Sequence, residues 1–596
     1  MIAKKLFCGG GKMSLNAKKI KADLCVIGGG MAGINVAISA ARLGVKVVLI
    51  HERPVFGGNA SSEIRMWICG VQDYEYRETG IAEEINLENY YYNPTKNYYL
   101  WDSVLYNKVH SEKNITPLLN CTCFDAKMEK SRIKSVTAYQ MTTQTMYEIT
   151  ADTFADCSGD SILAPLTDAE FMFGRESQTE YNEPMQTHID SDKKTMGNSC
   201  LLQARKTDRK IAFRAPEWAE KVSVEKLKSK YVNLLNPYEN FWYIELGGVM
   251  DTITQAECIN KRLIALCLGV WDTIKNSGEF DADYFELEFM GFLGAKRESR
   301  RMTGDYVLTA NDIMQARVFE DTVAYGGWSL DDHYPEGFDG DKSNYVIAVK
   351  KVYGIPYRCL YSKNIENLFF AGRNISATHM AMSSARVMGT CSIIGQAVGA
   401  AAALCKKYGI FPRGVNKHVE ELQQILLFND CYLPGVERKV SSLSLDGVLS
   451  GVKDCNLLRN GKDRNLSNEE NKAKFTFGES ATYSFSEPVD VKAVKIVFDS
   501  DLTRTTFDMH DCEKHHSMRS NILVDSPLMH MPKTLVKSYS LELTLSDGSK
   551  KLIQEKENKK RNVLIFVKDK LRALKLTVYE NWGEQKTSGV FTFELY

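Results

Sequence analysis

The sequence predicts an α/β fold with a parallel sheet, interrupted by a large α+β insertion and followed by a C-terminal β-sandwich. Three observations support this prediction. A strand–turn–helix–strand pattern occupies residues 23–52, and α/β character returns at residues 367–408 after a long region of polar and helical segments. From about residue 441 the chain changes to short alternating runs separated by turn residues, which is typical of antiparallel β-domains.

The first of these patterns has the features of a dinucleotide-binding βαβ unit. An apolar run leads into Gly28-x-Gly30-x-x-Gly33, a helical stretch ends at Gly44, and a second β-branched run precedes Glu52. Gly28 permits a tight turn, Gly30 lets the backbone approach a pyrophosphate, and Gly33 lets the helix pack closely on the strand. Glu52 follows the second strand, where a carboxylate accepts hydrogen bonds from the ribose. The pattern therefore predicts a Rossmann-type domain.

Composition excludes several classes of protein. Basic and acidic residues are equal at 75 each, so no net charge favours nucleic acid or an anionic membrane. The 15 cysteines include no CxxC pair, so we expect no metal site and a reducing, cytoplasmic location. The apolar stretch within the first 21 residues is too short for a signal peptide. The longest small and apolar run, residues 395–404, is too short to span a bilayer.

The same patterns predict the domain boundaries. We expect a flexible tail at residues 1–20, a discontinuous Rossmann-type domain at 21–170 and 345–440, a substrate domain at 171–344 and the β-sandwich at 441–596. Alternating runs at 133–139 and 146–151 predict a small antiparallel ribbon. We expect the β-sandwich to fold independently, with His510, His515 and His516 in a solvated polar loop.

Three later stretches carry longer motifs. They are Phe154-Ala-Asp-Cys-Ser-Gly-Asp160, Gly294-Ala-Lys-Arg-Glu-Ser-Arg-Arg-Met-Thr-Gly-Asp-Tyr306 and Asn367-Leu-Phe-Phe-Ala-Gly-Arg-Asn-Ile-Ser-Ala-Thr-His-Met-Ala-Met-Ser-Ser-Ala-Arg-Val-Met-Gly-Thr-Cys391. Together with residues 23–52 they resemble the FAD-dependent oxidoreductases whose two-dinucleotide-fold flavin domain is interrupted by a substrate domain. The resemblance covers residues 21–440. The tail is similar to discoidin or galactose-binding-like domains, especially over residues 571–596.

The resemblance implies FAD as the cofactor and assigns its contacts by motif. They are Gly28, Gly30, Met31, Ala32, Gly33, Glu52, Arg53, Gly58, Asn59, Asp160, Gly372, Arg373, Gly389 and Thr390. One position departs from the wider class, in which a Gly-Asp pair ends the strand and its Asp holds the ribityl chain. Here the pair is Gly372-Arg373, and Asp160 is the alternative carboxylate. The helix beginning at Gly389 is expected to direct its positive end at the flavin.

Candidate catalytic residues lie in the same motifs. His379, between the strand and that helix, is expected to approach the flavin ring and take a hydroxyl proton from the substrate, with a structural role as the alternative. Arg386 either binds a substrate oxygen or the flavin pyrimidine, or forms a surface ion pair. Residues 297–301 are either a solvated helix face or the source of Arg300 for binding a carboxylate or sugar oxygens. Residues 331–333 are expected in a surface turn, with a further group of the cavity as the alternative.

These features favour an FAD-dependent dehydrogenase, rather than an oxidase, that transfers a hydride between a hydroxylated small molecule and flavin N5. A carbohydrate or glycoside is preferred by analogy with the C-terminal domain. The alternatives are an ene-reductase or desaturase acting on an unsaturated acid, and a glycan-binding protein with a vestigial flavin domain. No second βαβ fingerprint with an acidic partner occurs, so we expect an external electron acceptor.

Overall fold

The computed structural model describes residues 16–230, 232–509, 511–523 and 525–596, with only the backbone at residues 511 and 512. The Rossmann-type domain opens with alternating strands and helices and continues into an antiparallel ribbon. These elements are β1 (Asn16–Ile27), α1 (Met31–Arg42), β2 (Val47–Ile50), α2 (Ile81–Tyr92), α3 (Tyr98–His110), β3 (Ile115–Leu118), β4 (Cys121–Glu129), β5 (Arg132–Gln140) and β6 (Thr145–Asp156). Residues 1–15 of the expected tail lie outside the described residues, whereas residues 16–20 belong to β1 and pair with β6.

The insertion consists of short strands around one long helix. Its elements are α4 (Leu163–Thr167), β7 (Phe171–Met172), β8 (Asn198–Ser199), β9 (Leu202–Lys206), α5 (Val224–Lys228), β10 (Glu245–Leu246), α6 (Ala256–Asn276), β11 (Phe285–Met290), β12 (Ala295–Lys296), β13 (Arg301–Met302), α7 (Ala310–Met314), β14 (Thr322–Gly326), β15 (Leu330–His333), β16 (Asn344–Ile347) and β17 (Tyr353–Pro356). The apolar face of α6, including Leu263, Leu266 and Trp271, is buried in a core separate from that of the central sheet. The part of the insertion around α6 therefore has a core of its own.

The chain then returns to the Rossmann-type domain through β18 (Leu368–Phe370), α8 (His379–Ala385), α9 (Met388–Tyr408) and α10 (Val419–Phe428). The central sheet has the strand order β3-β2-β1-β6-β5-β4, and β18 pairs in parallel with β6. Ile27 at the end of β1 pairs with both Ile50 and Asp156, and Asp156 also pairs with Phe370. The carboxyl ends of four parallel strands therefore meet at one edge, where α/β proteins bind ligands.

The long apolar helix α9 packs directly on α1. A Cβ atom at Gly395 would lie 2.2 Å from the carbonyl oxygen of Ala32, and one at Gly399 would lie 2.4 Å from that of Val36. By length and composition α9 could span a membrane, but 89% of its apolar window is buried inside the protein. This burial is that of a core helix.

The C-terminal domain is an antiparallel β-sandwich. Its elements are α11 (Ser442–Asp446), β19 (Val448–Gly451), β20 (Ala473–Thr476), β21 (Ser480–Phe498), α12 (Asp511–His515), β22 (Val536–Leu545), β23 (Lys550–Glu555), β24 (Asn562–Asn581) and β25 (Thr587–Leu595). The strand order is β20-β25-β21-β24-β22-β23, with β19 on β21. Register shifts along β21 and β24 let these long strands bend around the core.

The core of the β-sandwich includes side chains from outside it. Leu87 and Tyr90, both on α2, are buried in the same hydrophobic cluster as the inward-facing residues of the sandwich strands. Arg504 also forms an ion pair with Glu83 of α2, and both side chains are buried. The expectation of an independently folding C-terminal domain does not fit this shared core.

The packing of α9 on α1 gives a stability prediction. Replacing Gly399 with Ala should lower the free energy of unfolding by about 1–3 kcal/mol, because the added methyl group overpacks the contact with Val36 and Ser39. The gain in helix propensity, about 1 kcal/mol, is too small to offset a contact between a Cβ atom and a backbone carbonyl at that distance. Urea unfolding measures the change. Ala403→Ser, on the partly exposed face of the same helix, is the control and should unfold like the parent protein.

Candidate functional site

A cavity of about 780 Å³ lies at the carboxyl edge of the central sheet. Its walls come from the Rossmann-type domain, from the insertion and, through His516, from the C-terminal domain. Its volume lies in the upper part of the range of roughly 300–1,000 Å³ that is usual for small-molecule sites. The cavity is therefore large enough for an extended ligand.

The glycine-rich turn forms one end of this cavity. Gly28 has a φ of +105°, and a Cβ atom there would lie 2.3 Å from the carbonyl oxygen of Cys157. A Cβ atom at Gly33 would lie 1.8 Å from the carbonyl oxygen of Gly28, so the helix touches the turn through backbone atoms. Gly30 lines the cavity, and a Cβ atom there would have its nearest neighbour at 3.9 Å. The first N–H groups of α1 have no side-chain cap and remain available to an anion.

The loop after β2 continues the wall on both sides of Gly30. Gly57 pairs with Gly30 as an isolated parallel bridge, and Gly58 and Asn59 line the cavity. Glu52 also lines it with a side chain that is 61% exposed, and its nearest cation, Arg53, lies 4.0 Å away. The Glu52 carboxylate is therefore free to accept hydrogen bonds from a ligand.

Asp160 holds together the middle of the cavity wall. Its carboxylate accepts hydrogen bonds from Lys296 at 2.6 Å, Arg373 at 2.8 Å and the Ser299 hydroxyl at 2.9 Å. Burial would raise the pKa of Asp160, but the charges of Arg373 and Lys296 lower it below the ordinary value. Arg373 packs against Gly159, where a Cβ atom would lie 2.6 Å from Nη1. The Gly372-Arg373 pair therefore brings a cation that binds Asp160 into this wall.

A chain of ion pairs surrounds His333 in the insertion. Nδ1 of His333 lies 2.6 Å from Oε2 of Glu245, and Nε2 lies 3.4 Å from Oδ2 of Asp331. Arg297 lies 3.2 Å from Glu245, and Arg386 lies 3.6 Å from Asp331. Burial would raise the pKa of Glu245 and of Asp331, but these cations and His333 hold both pKa values below the ordinary range. Both carboxylates are therefore ionised beside the imidazole.

The expectation of a surface turn at residues 331–333 is wrong. These residues lie in β15, which pairs with β16, and the His333 side chain is only 4% exposed. His333, Asp331, Arg297 and Arg386 all line the cavity. The sequence signal for this strand is weak because two of its four residues are aspartates, which rarely occur in strands.

The helix-face interpretation of residues 297–301 is also wrong, because this segment runs extended between β12 and β13. Arg301 is buried between Glu298 and Glu176. Arg300 lines the cavity, donates to the backbone oxygen of Asp160 at 3.3 Å and lies 5.5 Å from the centre of the Phe171 ring. Within the described ranges, no carboxylate forms an ion pair with Arg300.

His379 does not reach the cavity, so its predicted role beside the flavin is not supported. It is the first residue of α8 and is buried, with Nδ1 at 2.9 Å from Glu298 and Nε2 at 3.0 Å from Asp332. Burial alone would lower the pKa of His379, but the two carboxylates raise it to about 10. A charged imidazole with both nitrogens occupied cannot accept a substrate proton. The structure therefore favours the structural alternative.

Comparison with known proteins identifies the family. The sequence model described as FAD dependent oxidoreductase matches residues 23–426, which is more than half of the chain. This chain belongs to the FAD-dependent oxidoreductase family. A search of curated proteins finds no match.

The chain is distantly similar to several solved structures. An E. coli quinol fumarate reductase variant has 11% identity over 69% of this chain and 75% of its own, with a TM-score of 0.28. The myxobacterial chondrochloren halogenase CndH has 12% identity over 68% and 79%, with a TM-score of 0.31. A family 32 carbohydrate-binding module from Streptococcus pneumoniae EndoD has 15% identity over 26% of this chain and 99% of its own, with a TM-score of 0.19. Such scores describe partial likeness and carry no functional argument.

FAD fits the cavity of this flavoenzyme. Gly30 and the uncapped start of α1 form a cradle that a side chain at Gly30 would fill, and the free Glu52 carboxylate lies at the same end. Met31, Ala32, Gly58, Asn59 and Gly372 line the same space, as do Arg53, Asp160 and Arg373. Gly33 is absent from the wall and acts through close packing instead.

The start of α9 differs from the predicted contacts. Gly389 and Thr390 do not line the large cavity. The Gly389 N–H donates to the carbonyl oxygen of Cys69 at 2.7 Å, and Thr390 is fully buried. Val387, Met388 and Cys391 take their place in the wall. The helix end does face the cavity, but through neighbouring residues.

Replacing Gly30 with Glu should abolish FAD binding, because the side chain would place bulk and negative charge where the pyrophosphate is expected. A Cβ atom at Gly30 meets nothing closer than 3.9 Å, so the apoprotein should fold normally. Absorbance at the flavin bands after reconstitution gives the binding result, and far-UV circular dichroism gives the folding control. A folded Gly30→Glu variant that still takes up FAD would contradict the assignment of this end of the cavity.

Replacing His379 with Gln should destabilise the protein by about 3–5 kcal/mol, because Glu298 and Asp332 would lose the buried positive charge between them. The raised pKa means that His379 binds its proton more tightly in the folded protein. Its contribution is therefore complete below the ordinary pKa of 6.5 and is lost as the pH rises through about 10. Urea unfolding of the parent protein and the variant should show that their difference in free energy of unfolding shrinks as the pH rises through this range. A difference independent of pH would refute the ion-pair role.

Proposed function

We propose that this flavoenzyme is a dehydrogenase that oxidises a hydroxylated small molecule, with a carbohydrate or glycoside as the preferred class. FAD, when bound, supplies the hydride acceptor at flavin N5. The protein must then bind the substrate, orient its carbon–hydrogen bond and remove the hydroxyl proton. The residues around His333 are suited to the last of these tasks.

The observation that carries the proposal is the position of His333 in the cavity wall between two carboxylates. Glu245 at 2.6 Å from Nδ1 favours the tautomer in which Nδ1 carries the proton and Nε2 accepts one. Asp331 at 3.4 Å from Nε2 stabilises the imidazolium that forms when the proton arrives. This is the arrangement of a general base with an orienting group, which is what alcohol oxidation requires.

Aromatic residues in the same cavity support a sugar substrate. Trp67, Trp242 and Trp328 all line it, and the ring centre of Trp242 lies 5.1 Å from that of His333. A pyranose ring presents faces of C–H groups whose partial positive charge suits the negative face of an indole. Arg300, which has its guanidinium in the wall, would bind sugar oxygens through its fixed fork of donors.

A second candidate is an ene-reductase or desaturase that acts on an unsaturated acid. The observation in its favour is that Arg300 lines the cavity without a carboxylate at ion-pair distance in the described part of the chain. A guanidinium without a paired carboxylate suits a substrate carboxylate, because the two groups can form two parallel hydrogen bonds. Hydroxy acids and unsaturated acids therefore belong in the substrate screen.

We also propose an external electron acceptor and a cytoplasmic location. The first follows from the single βαβ fingerprint in the sequence. The second is supported by the 13 cysteines that the structure describes, all of which are free, since a reducing compartment preserves thiols.

The test is anaerobic flavin bleaching by sugars, polyols, glycosides, hydroxy acids and unsaturated acids. We expect a sugar, polyol or glycoside to bleach the flavin, and we expect His333→Gln to slow that reduction by roughly 10²–10⁴-fold while FAD stays bound, as loss of a general base does. His418→Gln is the control, because His418 lies outside the cavity. If only acids bleach the flavin, the substrate class is wrong. If the flavin of His333→Gln is reduced at the parental rate, the proton-transfer role is wrong.

A further inference from the structure

The connection between β21 and β22 leaves the β-sandwich and crosses the rest of the protein. We call residues 499–535 of this connection the C-terminal arm; residues 510 and 524 within it are outside the described part. Arms of this length are usually surface loops, but Met518 is 2% exposed and belongs to the core of the Rossmann-type domain. The arm is therefore built into the flavin-binding half of the molecule.

The arm is first anchored on α2. Arg504 forms a buried ion pair with Glu83 at 2.7 Å, and the Ser500 hydroxyl donates to the same carboxylate at 3.0 Å. Arg77 donates to the carbonyl oxygen of Leu502 at 2.7 Å. Removing the arm would leave the Glu83 carboxylate buried without its cation, which is strongly destabilising.

The arm is next anchored on residues before, within and after α2. Asn89 donates to the carbonyl oxygen of Ser517 at 2.9 Å, and Lys96 donates to that of Glu513 at 2.9 Å. The Tyr74 and His515 rings stack with centres 3.4 Å apart. These three contacts, at Glu513, His515 and Ser517, lie on both sides of residue 516 and hold this part of the arm in one position.

The arm ends its crossing on the insertion. The backbone N–H of Ile522 donates to the carbonyl oxygen of Ala204 in β9 at 2.9 Å, and the N–H of Lys206 donates to the carbonyl oxygen of Ile522 at 2.9 Å. The Asn521 side chain accepts from the N–H of Ala204 at 2.9 Å and donates to backbone oxygens at positions 234 and 236. The arm therefore contacts both the Rossmann-type domain and the insertion.

His516 is the residue of the arm that enters the cavity wall. It lines the 780 Å³ cavity and an adjoining space of about 60 Å³ that Gly389 and Ser392, in the first turns of α9, also line. Its ring centre lies 5.5 Å from that of Trp67 and 5.2 Å from that of Tyr238. Burial, with the charges of Arg77 and Lys96, lowers the pKa of His516 to about 4, so the ring is neutral. Its Nδ1 has no hydrogen-bond partner among the described residues.

We propose that the C-terminal arm is a wall of the flavin site and that His516 contacts the bound cofactor beside the start of α9. The neutral ring of His516 lines the cavity beside the Trp67 and Tyr238 rings, so a ligand in that space would lie against it. The C-terminal domain then contributes a residue to the cofactor site. A domain that only bound carbohydrate on its outer surface would not need this contribution. The proposal depends on the cofactor and is independent of the substrate class.

The test measures FAD binding in the full-length protein without substrate. We expect His516→Ala to raise the Kd for FAD roughly 5- to 100-fold, the range for loss of one stacked aromatic contact. Iodide should also quench the fluorescence of the bound flavin more strongly, because the wall is opened. His530→Ala is the matched control: His530 lies in the same arm, stacks on Phe507 and does not line the cavity. It should keep the parental Kd and quenching.

Two further variants keep the test decisive if His516→Ala does not fold. His516→Phe keeps the ring and should restore FAD binding to near the parental Kd, whereas His516→Gln keeps polarity without the ring and should bind weakly. The proposal is overturned if His516→Gln, or a folded His516→Ala, binds FAD with the parental Kd and shows the parental quenching by iodide. Because no substrate is present, that result would leave the role proposed for His333 untouched.

Discussion

The close approach of α1 to the end of β1 is the constraint on which the rest of the structure depends. No side chain fits at Gly33, where a Cβ atom would lie 1.8 Å from the carbonyl oxygen of Gly28. This contact places the uncapped start of α1 at the carboxyl edge of the sheet, and α9 then packs on α1 through Gly395 and Gly399. The position of α9 brings Met388 into the cavity wall. Contacts between backbones, made possible by glycines, therefore set the width of the flavin cleft.

Alternating charges organise the chemical end of this cleft. Arg297, Glu245, His333, Asp331 and Arg386 form a continuous chain in which successive contacts measure 3.2, 2.6, 3.4 and 3.6 Å. Each carboxylate is shared between an arginine and the imidazole, so neither is left uncompensated when His333 is neutral. In the proton transfer proposed above, the charges that would stabilise a protonated imidazole are already in place and need little rearrangement. Such preorganised charge is a main source of rate enhancement in enzymes.

The sequence was sufficient where the relevant contacts are local. The glycine-rich turn and the ribbon of β5 and β6 are each encoded within a few dozen residues. The return of the fold at β18 pairs with the distant β6, but its own apolar run marks it as a strand. His379 was misjudged because the carboxylates that bind it come from Glu298 and Asp332, on distant elements of the insertion. For His333 a cavity role was only the alternative to a surface turn, because its side-chain partner Glu245 lies 88 residues earlier in the sequence. No periodic pattern marks such pairs.

The crossing of the C-terminal arm has a consequence for how this protein is made. The glycine-rich turn at residues 28–33 leaves the ribosome long before His516 and Met518 do, because synthesis runs from the N-terminus. Domains generally fold as units in the order of their synthesis, yet here an early core lacks a buried side chain until the C-terminal arm has been made. His516 enters the cavity wall only after the arm has been synthesised. A chain that stops before the arm therefore exposes an unfinished apolar core to the cell's quality control.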